Sequence, residues 1–354
     1  MLLPTEHAGP GAVRKPLRVA LIGYGLGGAT FHAPLIAATS GLELAAIVTS
    51  DPQRAAAARS RHARSSILDG ADRLWSVARD FDVAVVSTPN RTHAPLAAAA
   101  LDAGLHVVVD KPLAATAADA RFLAELARAR GRVLTVYQNR RWDGDFLTLR
   151  ELIAGGALGE VRRFESRFER WRPQLKPGWR QEADPAAGGG VLFDLGAHLI
   201  DQALLLFGPV TSVYAEPDRR RPGSLVDDDT FVALTHASGV RSHLWMSLVA
   251  ARSAPRFRVL GSRAAWTKHG LDPQEARLRD GADPREPGFG VEAEELWGEL
   301  HYGESARRTP TRAGDWLSFY RDLVRSIHDG VPPPVEAWDA VAVLDVIENA
   351  LSGR

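Results

Sequence analysis

The chain has 354 residues, more than one ordinary hydrophobic core accommodates, so two domains are the starting expectation. Its 43 Lys and Arg balance 43 Asp and Glu, which leaves no net field to draw it to nucleic acid or anionic lipid. It contains no cysteine, which excludes disulfides and thiolate zinc sites and is in keeping with a cytoplasmic location.

Residues 1–16 hold proline, glycine and charge without a long apolar run, and read as a loose tail, not a signal peptide. No later stretch is apolar for long enough to span a bilayer. Residues 17–22 form an apolar, strand-like run that leads straight into Gly23-Tyr24-Gly25-Leu26-Gly27-Gly28. A strand, a glycine turn and a helix start bring backbone N–H groups close to a pyrophosphate. In that pattern Gly23 permits the turn, Gly25 removes a side chain that would block the phosphates, and Gly28 lets helix and strand pack closely. Glycine turns are common, so the motif takes its weight from the strand–helix units downstream of it. Strands at 42–48, 83–87, 106–109 and 133–136 alternate with helices at 52–61, 71–79, 95–103 and 116–130. Thr116 reads as the N-cap of the last helix and Gly131 as its stop. This rhythm predicts a doubly wound parallel sheet, an α/β Rossmann domain over residues 17–138.

After Gln138 the rhythm changes. A helix at 143–154 precedes a run at 161–171 that alternates with period two. Phe164, Ser166 and Phe168 share one face, and Arg163, Glu165, Arg167 and Glu169 share the other, as in a half-buried antiparallel strand. The interleaved glutamates make that charged face a solvated or subunit-facing surface, not a nucleic-acid stripe. Further strands are expected at 210–215, 230–235, 240–247 and 257–260, then a long excursion rich in Gly, Pro and charge over 270–312. Two helices close the chain. Trp316, Phe319, Leu323, Val324 and Ile327 line one face of the first, and Pro332-Pro333-Pro334 breaks it from the second. Residues 139–354 are therefore expected to form an α+β domain with a mainly antiparallel sheet, for substrate binding and oligomerisation. Its closing helices, 314–354, are expected to pack back on the first domain. A substrate would lie between the two, beyond the carboxyl ends of the parallel strands.

Three loops should converge there: Ser87-Thr88-Pro89-Asn90 with His93, Asp110-Lys111-Pro112, and Gln138-Asn139-Arg140-Arg141. Lys111 is the reactive candidate, since a lysine near a cationic ring or partly desolvated has its pKa lowered toward a useful range. Taken alone it reads equally as a surface lysine in a strand-end turn. A second group follows Gly188-Gly189-Gly190, where a helix over 191–207 places Asp194 and His198 at i and i+4 on one face. A carboxylate beside an imidazole fixes its tautomer and stabilises the imidazolium after proton transfer. The same pair also reads as an ordinary surface contact, and without further ligands it does not make a metal site.

At the end of the second strand, where NAD-preferring folds often carry an acid, stand Thr49 and Ser50, with Asp51 next and Arg54 a turn on. The hydroxyls and Arg54 suit a 2′-phosphate, so NADP is favoured over NAD. Asp51 is the counter-argument, although Asp51-Pro52 is also a plain helix N-cap.

From Leu17 onward, four of these elements in this order resemble the Gfo/Idh/MocA oxidoreductases: Gly23 to Gly28, Ser87 to Asn90 with His93, Asp110-Lys111-Pro112, and 189–198 ending in Asp194 and His198. Phe31-His32-Ala33-Pro34-Leu35-Ile36 and Gln138-Asn139-Arg140-Arg141-Trp142-Asp143 resemble the branch that includes scyllo-inositol dehydrogenases. Asp110 stands where the family commonly has Glu. The resemblance implies that Lys111 holds substrate and cofactor, that His198 is the acid/base with Asp194 orienting it, and that the Lys111–Pro112 bond is cis. By the same resemblance Tyr24, Leu26, Ser87, Thr88, Pro89, Asn90, His93, Asp110, Asn139 and Arg140 border the cofactor. An aromatic face and a fork of donors suit a polyol, so Trp179-Arg180, in the loop before the glycines, is expected to close over a sugar. The implied activity is an NAD(P)-dependent dehydrogenase of a secondary alcohol on a cyclic polyol or sugar, working as a homodimer or homotetramer without nucleic acid or membrane. A non-catalytic dinucleotide-binding regulator and a redox-assisted glycosidase remain as alternatives.

Overall fold

The computed structural model describes residues 14–175 and 188–353, so the N-terminal tail and the Trp179-Arg180 pair lie outside the described residues. Six strands form a wholly parallel sheet: β1 (Leu17–Ile22), β2 (Leu42–Val48), β3 (Ser66–Leu68), β4 (Val83–Val86), β5 (His106–Asp110) and β6 (Leu134–Tyr137). Their spatial order is β3-β2-β1-β4-β5-β6, the doubly wound arrangement with its switch point between β1 and β4. The strands read as unbroken apolar runs because helices cover both faces; every residue of β4 is buried. The connecting helices are α1 (Ala33–Ala38), α2 (Pro52–Arg61), α3 (Ala71–Ser76), α4 (His93–Asp102) and α5 (Ala117–Arg130). As expected, the Thr116 hydroxyl accepts from Asp119 N–H to open α5, and Gly131 closes it in the left-handed conformation. In this sheet only the short edge strand β3 went unanticipated, since three residues are too few to show a period.

Past α6 (Gly144–Ala154) lies the second sheet: β7 (Val161–Glu169), β8 (Val210–Asp218), β9 (Asp229–His236), β10 (Arg241–Ser247), β11 (Phe257–Gly261), β12 (Ala265–Lys268), β13 (Gly298–Tyr302) and β14 (Ser305–Thr309). Its order is β14-β13-β12-β11-β7-β10-β9-β8, antiparallel except where β10 runs beside β7. Phe164, Ser166 and Phe168 of β7 are buried, as the alternation predicts, but Glu165 of the opposite face is buried as well, between Arg167 and Arg258, so that face is not uniformly solvated. The expected excursion over 270–312 is corrected. It contains a short helix, α8 (Gln274–Arg279), and ends in the β13–β14 hairpin, which extends the sheet edge. Gly and Pro there mark turns between short elements, not absence of structure.

Helix α7 (Ala197–Phe207) packs against β7 and β10, and is entered through a wider helical turn at Leu192–Gly196. The closing helices α9 (Leu317–Asp329) and α10 (Ala337–Ser352) return to the first sheet. There α10 lies against α5, Glu348 accepts from Ala117 N–H at 2.7 Å, and the Thr135 hydroxyl of β6 donates to Val335 O at 2.8 Å. Among the described residues no helix is long and apolar enough to cross a membrane.

Candidate active site

The turn after β1 is pressed against the end of β4. Gly23 has φ of +100°, and a Cβ on it would lie 2.2 Å from Ser87 O; one on Gly28 would lie 2.0 Å from Gly23 O. Neither position admits a side chain. Gly25, by contrast, looks into open space, with only the Arg54 guanidinium near, 3.7 Å from where its Cβ would be. The result is an open cradle above a helix start whose first N–H groups have no intrahelical partners, which fits a dinucleotide pyrophosphate. Tyr24 turns its ring inward against His62, with centroids 5.9 Å apart, and so offers the cradle its backbone only.

Beyond the cradle the other loops meet. Ser87 Oγ and the Asp110 carboxylate both crowd Gly27. Asp110 accepts from Lys111 N–H at 2.9 Å and from Ser87 Oγ at 3.4 Å. Burial alone would raise its carboxyl, but His32, Lys111 and His93 outweigh that and hold it at about 2. His32 stands behind it, with Nε2 3.7 Å from Asp110 Oδ2 and Nδ1 2.6 Å from the Tyr320 hydroxyl.

The Lys111–Pro112 bond is cis, as the resemblance implied. Lys111 Nζ crosses to the second sheet's side and donates to Asp194 O at 2.5 Å and Asp194 Oδ1 at 3.0 Å. His198 sits nearby, buried, with Nδ1 3.1 Å from Gln138 Oε1. The Gln138 amide nitrogen donates to Ala197 O at 3.5 Å, which turns its oxygen toward the imidazole. Nδ1 therefore carries the proton and Nε2 keeps its lone pair. Burial, then the Lys111 and Arg140 charges, hold this imidazole well below its usual range, against the opposing pull of Asp194. Lys111, Arg140, Asp194 and His198 line one cavity of about 300 Å³ together with Gly27, Asn139 and Glu275.

Two expectations are corrected. The tautomer of His198 is fixed by Gln138, while the Asp194 carboxylate accepts from Lys111. His93 is buried, with its ring nitrogens 2.8 Å from Pro112 O and 2.8 Å from Thr88 O, so it ties two loops together from behind and does not border the cradle. Arg140 lines the same cavity as Gly27 and Asn139, held by Asp143 at 3.3 Å and by Glu275. Asn90 spends its amide on Gly188 O at 2.9 Å and so joins the Ser87 loop to the glycine run before Asp194. Asp201, one turn past His198, faces Arg141 at 2.6 Å. Gln138 and Glu275 were missed by sequence reasoning. Gln138 stands in the loop after β6, but nothing local marks a neutral amide as a partner for an imidazole 60 residues away.

At the far end of the cradle, Asp51 accepts from Gln53 N–H at 2.8 Å and Arg54 N–H at 3.1 Å, and Arg54 Nε lies 3.4 Å from its second oxygen. Its carboxylate is committed to capping α2. Thr49 and Ser50 stand in front of it at the end of β2.

The strand order, the glycine cradle and the cavity at the strands' carboxyl ends define a dinucleotide-binding oxidoreductase. Residues 17–138 match the oxidoreductase family with an NAD-binding Rossmann fold, and residues 146–267 match the GFO/IDH/MocA C-terminal domain. The chain belongs to the Gfo/Idh/MocA oxidoreductases. It is 41% identical to the oxidoreductase YdgJ of Escherichia coli (strain K12), over 94% of each chain. It is 31% identical to the scyllo-inositol 2-dehydrogenase (NADP(+)) IolW of Bacillus subtilis (strain 168), over 95% of this chain and 93% of that one. The solved structure of the oxidoreductase yvaA from Bacillus subtilis superposes with a TM-score of 0.90 at 30% identity, covering 96% of both chains.

Proposed function

We propose that this protein is an NADP-dependent dehydrogenase that oxidises a secondary alcohol of a cyclic polyol or sugar, or reduces the matching ketone. The observation that carries the reading is the meeting of the Lys111 ammonium and a neutral, oriented His198 in one cavity beside Gly27. The cofactor would be held by the Gly23–Gly28 turn, Ser87 to Asn90, Asp110 and Asn139, with Thr49, Ser50 and Arg54 at the adenosine ribose. When bound, the oxidised nicotinamide supplies the acceptor for the hydride of the carbinol carbon. Lys111, anchored by Asp194, donates to the substrate oxygen and fixes its position. His198 Nε2 takes the hydroxyl proton, and its Nδ1–H bond to Gln138 steadies the imidazolium that results. In the reverse direction the same nitrogen returns the proton.

The NADP preference is supported by three features: no carboxylate at Thr49, an Asp51 already engaged as a helix cap, and a guanidinium beside the cradle. The relative IolW is NADP-dependent by its name. The reading includes a homodimer or homotetramer joined through the charged and aromatic face of the second sheet. On that face Arg167 stacks over Trp245 at 3.9 Å, and Phe231 lies against the same ring.

The test is nicotinamide absorbance with NADP or NAD against inositols, aldoses and smaller polyols. Turnover of one ring alcohol with preference for NADP is the expected result. Cofactor binding without turnover on any alcohol would instead favour a dinucleotide-responsive regulator.

A further inference from the structure

Six cationic side chains line the cavity against four carboxylates. Four of the six are engaged: Lys111 by Asp194, Arg140 by Asp143 and Glu275, Arg279 by Glu275, and Arg221 by Asp228 at 2.9 Å. The other two are Arg170 and Arg172, just past the end of β7. Among the described residues neither guanidinium has a hydrogen-bond or ion-pair partner. Arg170 is the more enclosed, with its guanidinium 5.8 Å from the centre of the Phe168 ring. The carboxylates whose fields reach it, Glu275 and Asp194, already accept from Arg140, Arg279 and Lys111. Burial pulls the Arg170 pKa down, as expected of a half-buried cation whose charge is not fully compensated.

We propose that Arg170, with Arg172 at the rim, is a subsite for an anionic group, so that the substrate is a polyol or sugar bearing a carboxylate or phosphate. The inference rests on the dehydrogenase reading and narrows its substrate class. A guanidinium offers a planar fork of donors that matches either anion in two parallel bonds. Placed at the second sheet, it would hold the charged end of a ring while Lys111 and His198 hold the reacting hydroxyl.

The experiment compares D-glucose, D-glucuronate and D-glucose 6-phosphate with the NADP-loaded enzyme, by initial rate and by calorimetric binding. At least one anionic sugar should exceed glucose in kcat/KM by about tenfold or more, chiefly through KM, the usual worth of a charge-assisted contact. Which of the two leads tells carboxylate from phosphate. In R170Q that ratio should collapse toward one, whereas R170K should keep part of it, a pattern that a structural role for Arg170 would not produce. Glucose turned over as well as both anions would overturn the inference and leave the dehydrogenase reading standing. Saturable binding of an anionic sugar that R170Q abolishes, with no turnover of any alcohol, would uphold the subsite and count against the dehydrogenase. Neither anion binding to the loaded enzyme would overturn the subsite.

Discussion

Replacing Gln138 by glutamate puts a carboxylate in place of an amide oxygen 3.1 Å from His198 Nδ1, with almost no change of shape. At an effective dielectric near 20, unit charges at that separation attract by roughly 5 kcal/mol. That is an upper bound, because burial raises the pKa of the new carboxylate as well. Half of it still corresponds to about 2 pH units, at roughly 1.4 kcal/mol per unit. The wild-type imidazole is held well below its ordinary value by burial and by Lys111 and Arg140. It is therefore neutral, and able to accept a proton, at and below neutral pH. Oxidation requires that neutral form, so kcat/KM falls only as pH drops through the imidazole pKa, and raising that pKa moves the acidic limb upward. Initial rates of NADP reduction over about pH 3–9 should show the limb of Gln138→Glu displaced by about 2 units toward alkali. Gln138→Leu should instead lower the plateau by about 10- to 100-fold, since the buried Nδ1–H is left unpaired. Coincident limbs in wild type and Gln138→Glu would refute the assignment of His198 as the base.

Three further outcomes are expected. Thr49→Asp, which places a carboxylate where the 2′-phosphate would lie, should shift the NADP/NAD ratio of kcat/KM toward NAD by about 10-fold or more; an unchanged ratio would count against the placement of the ribose. Gly28→Ala forces a Cβ to within 2.0 Å of Gly23 O, and the backbone shift should cost about 1–3 kcal/mol, read as a Tm several degrees lower, with weaker NADP binding. The Glu275 carboxyl is raised by burial but brought down to about 2 by Arg140, Arg279 and Arg170. A carboxyl depressed in the folded state stabilises above its unfolded pKa and loses that contribution as pH falls through the folded one. It should therefore contribute on the order of 3 kcal/mol above about pH 4.5, lost between there and about pH 2. Denaturant titrations of Glu275→Gln should show a shallower loss of stability across that window, and parallel curves would contradict the ion-pair account.

Much of this molecule can be read from its sequence, for identifiable reasons. Buried parallel strands such as Val83–Val86 announce themselves as apolar runs, because both faces are covered. The caps at Thr116 and Gly131 are local chemistry, fixed by residues a turn apart. Lys111, Asp194 and His198 were legible as candidates because they follow strand ends or share a helix face. Their pairing was not. Helical spacing says which side a group faces, but the Asp194 carboxylate accepts from Lys111, which comes from a loop 83 residues away. His93 misled for a related reason: a polar ring beside a Ser-Thr-Pro-Asn loop suggests a ligand contact, while its nitrogens serve two backbone carbonyls. Glu275 and Arg279 were hidden inside a stretch whose glycines and prolines resemble open loop. Only the fold shows α8 delivering them to the cavity.

The most direct test of the central claim is Lys111→Ala, studied by NADP binding and by turnover of an alcohol that the wild type accepts. Lys111 Nζ is placed to hold the substrate oxygen, while the cradle from Gly23 to Gly28 is built without it. The variant should bind NADP within a few-fold of wild type and lose nearly all turnover. Undiminished turnover in Lys111→Ala would contradict the mechanism.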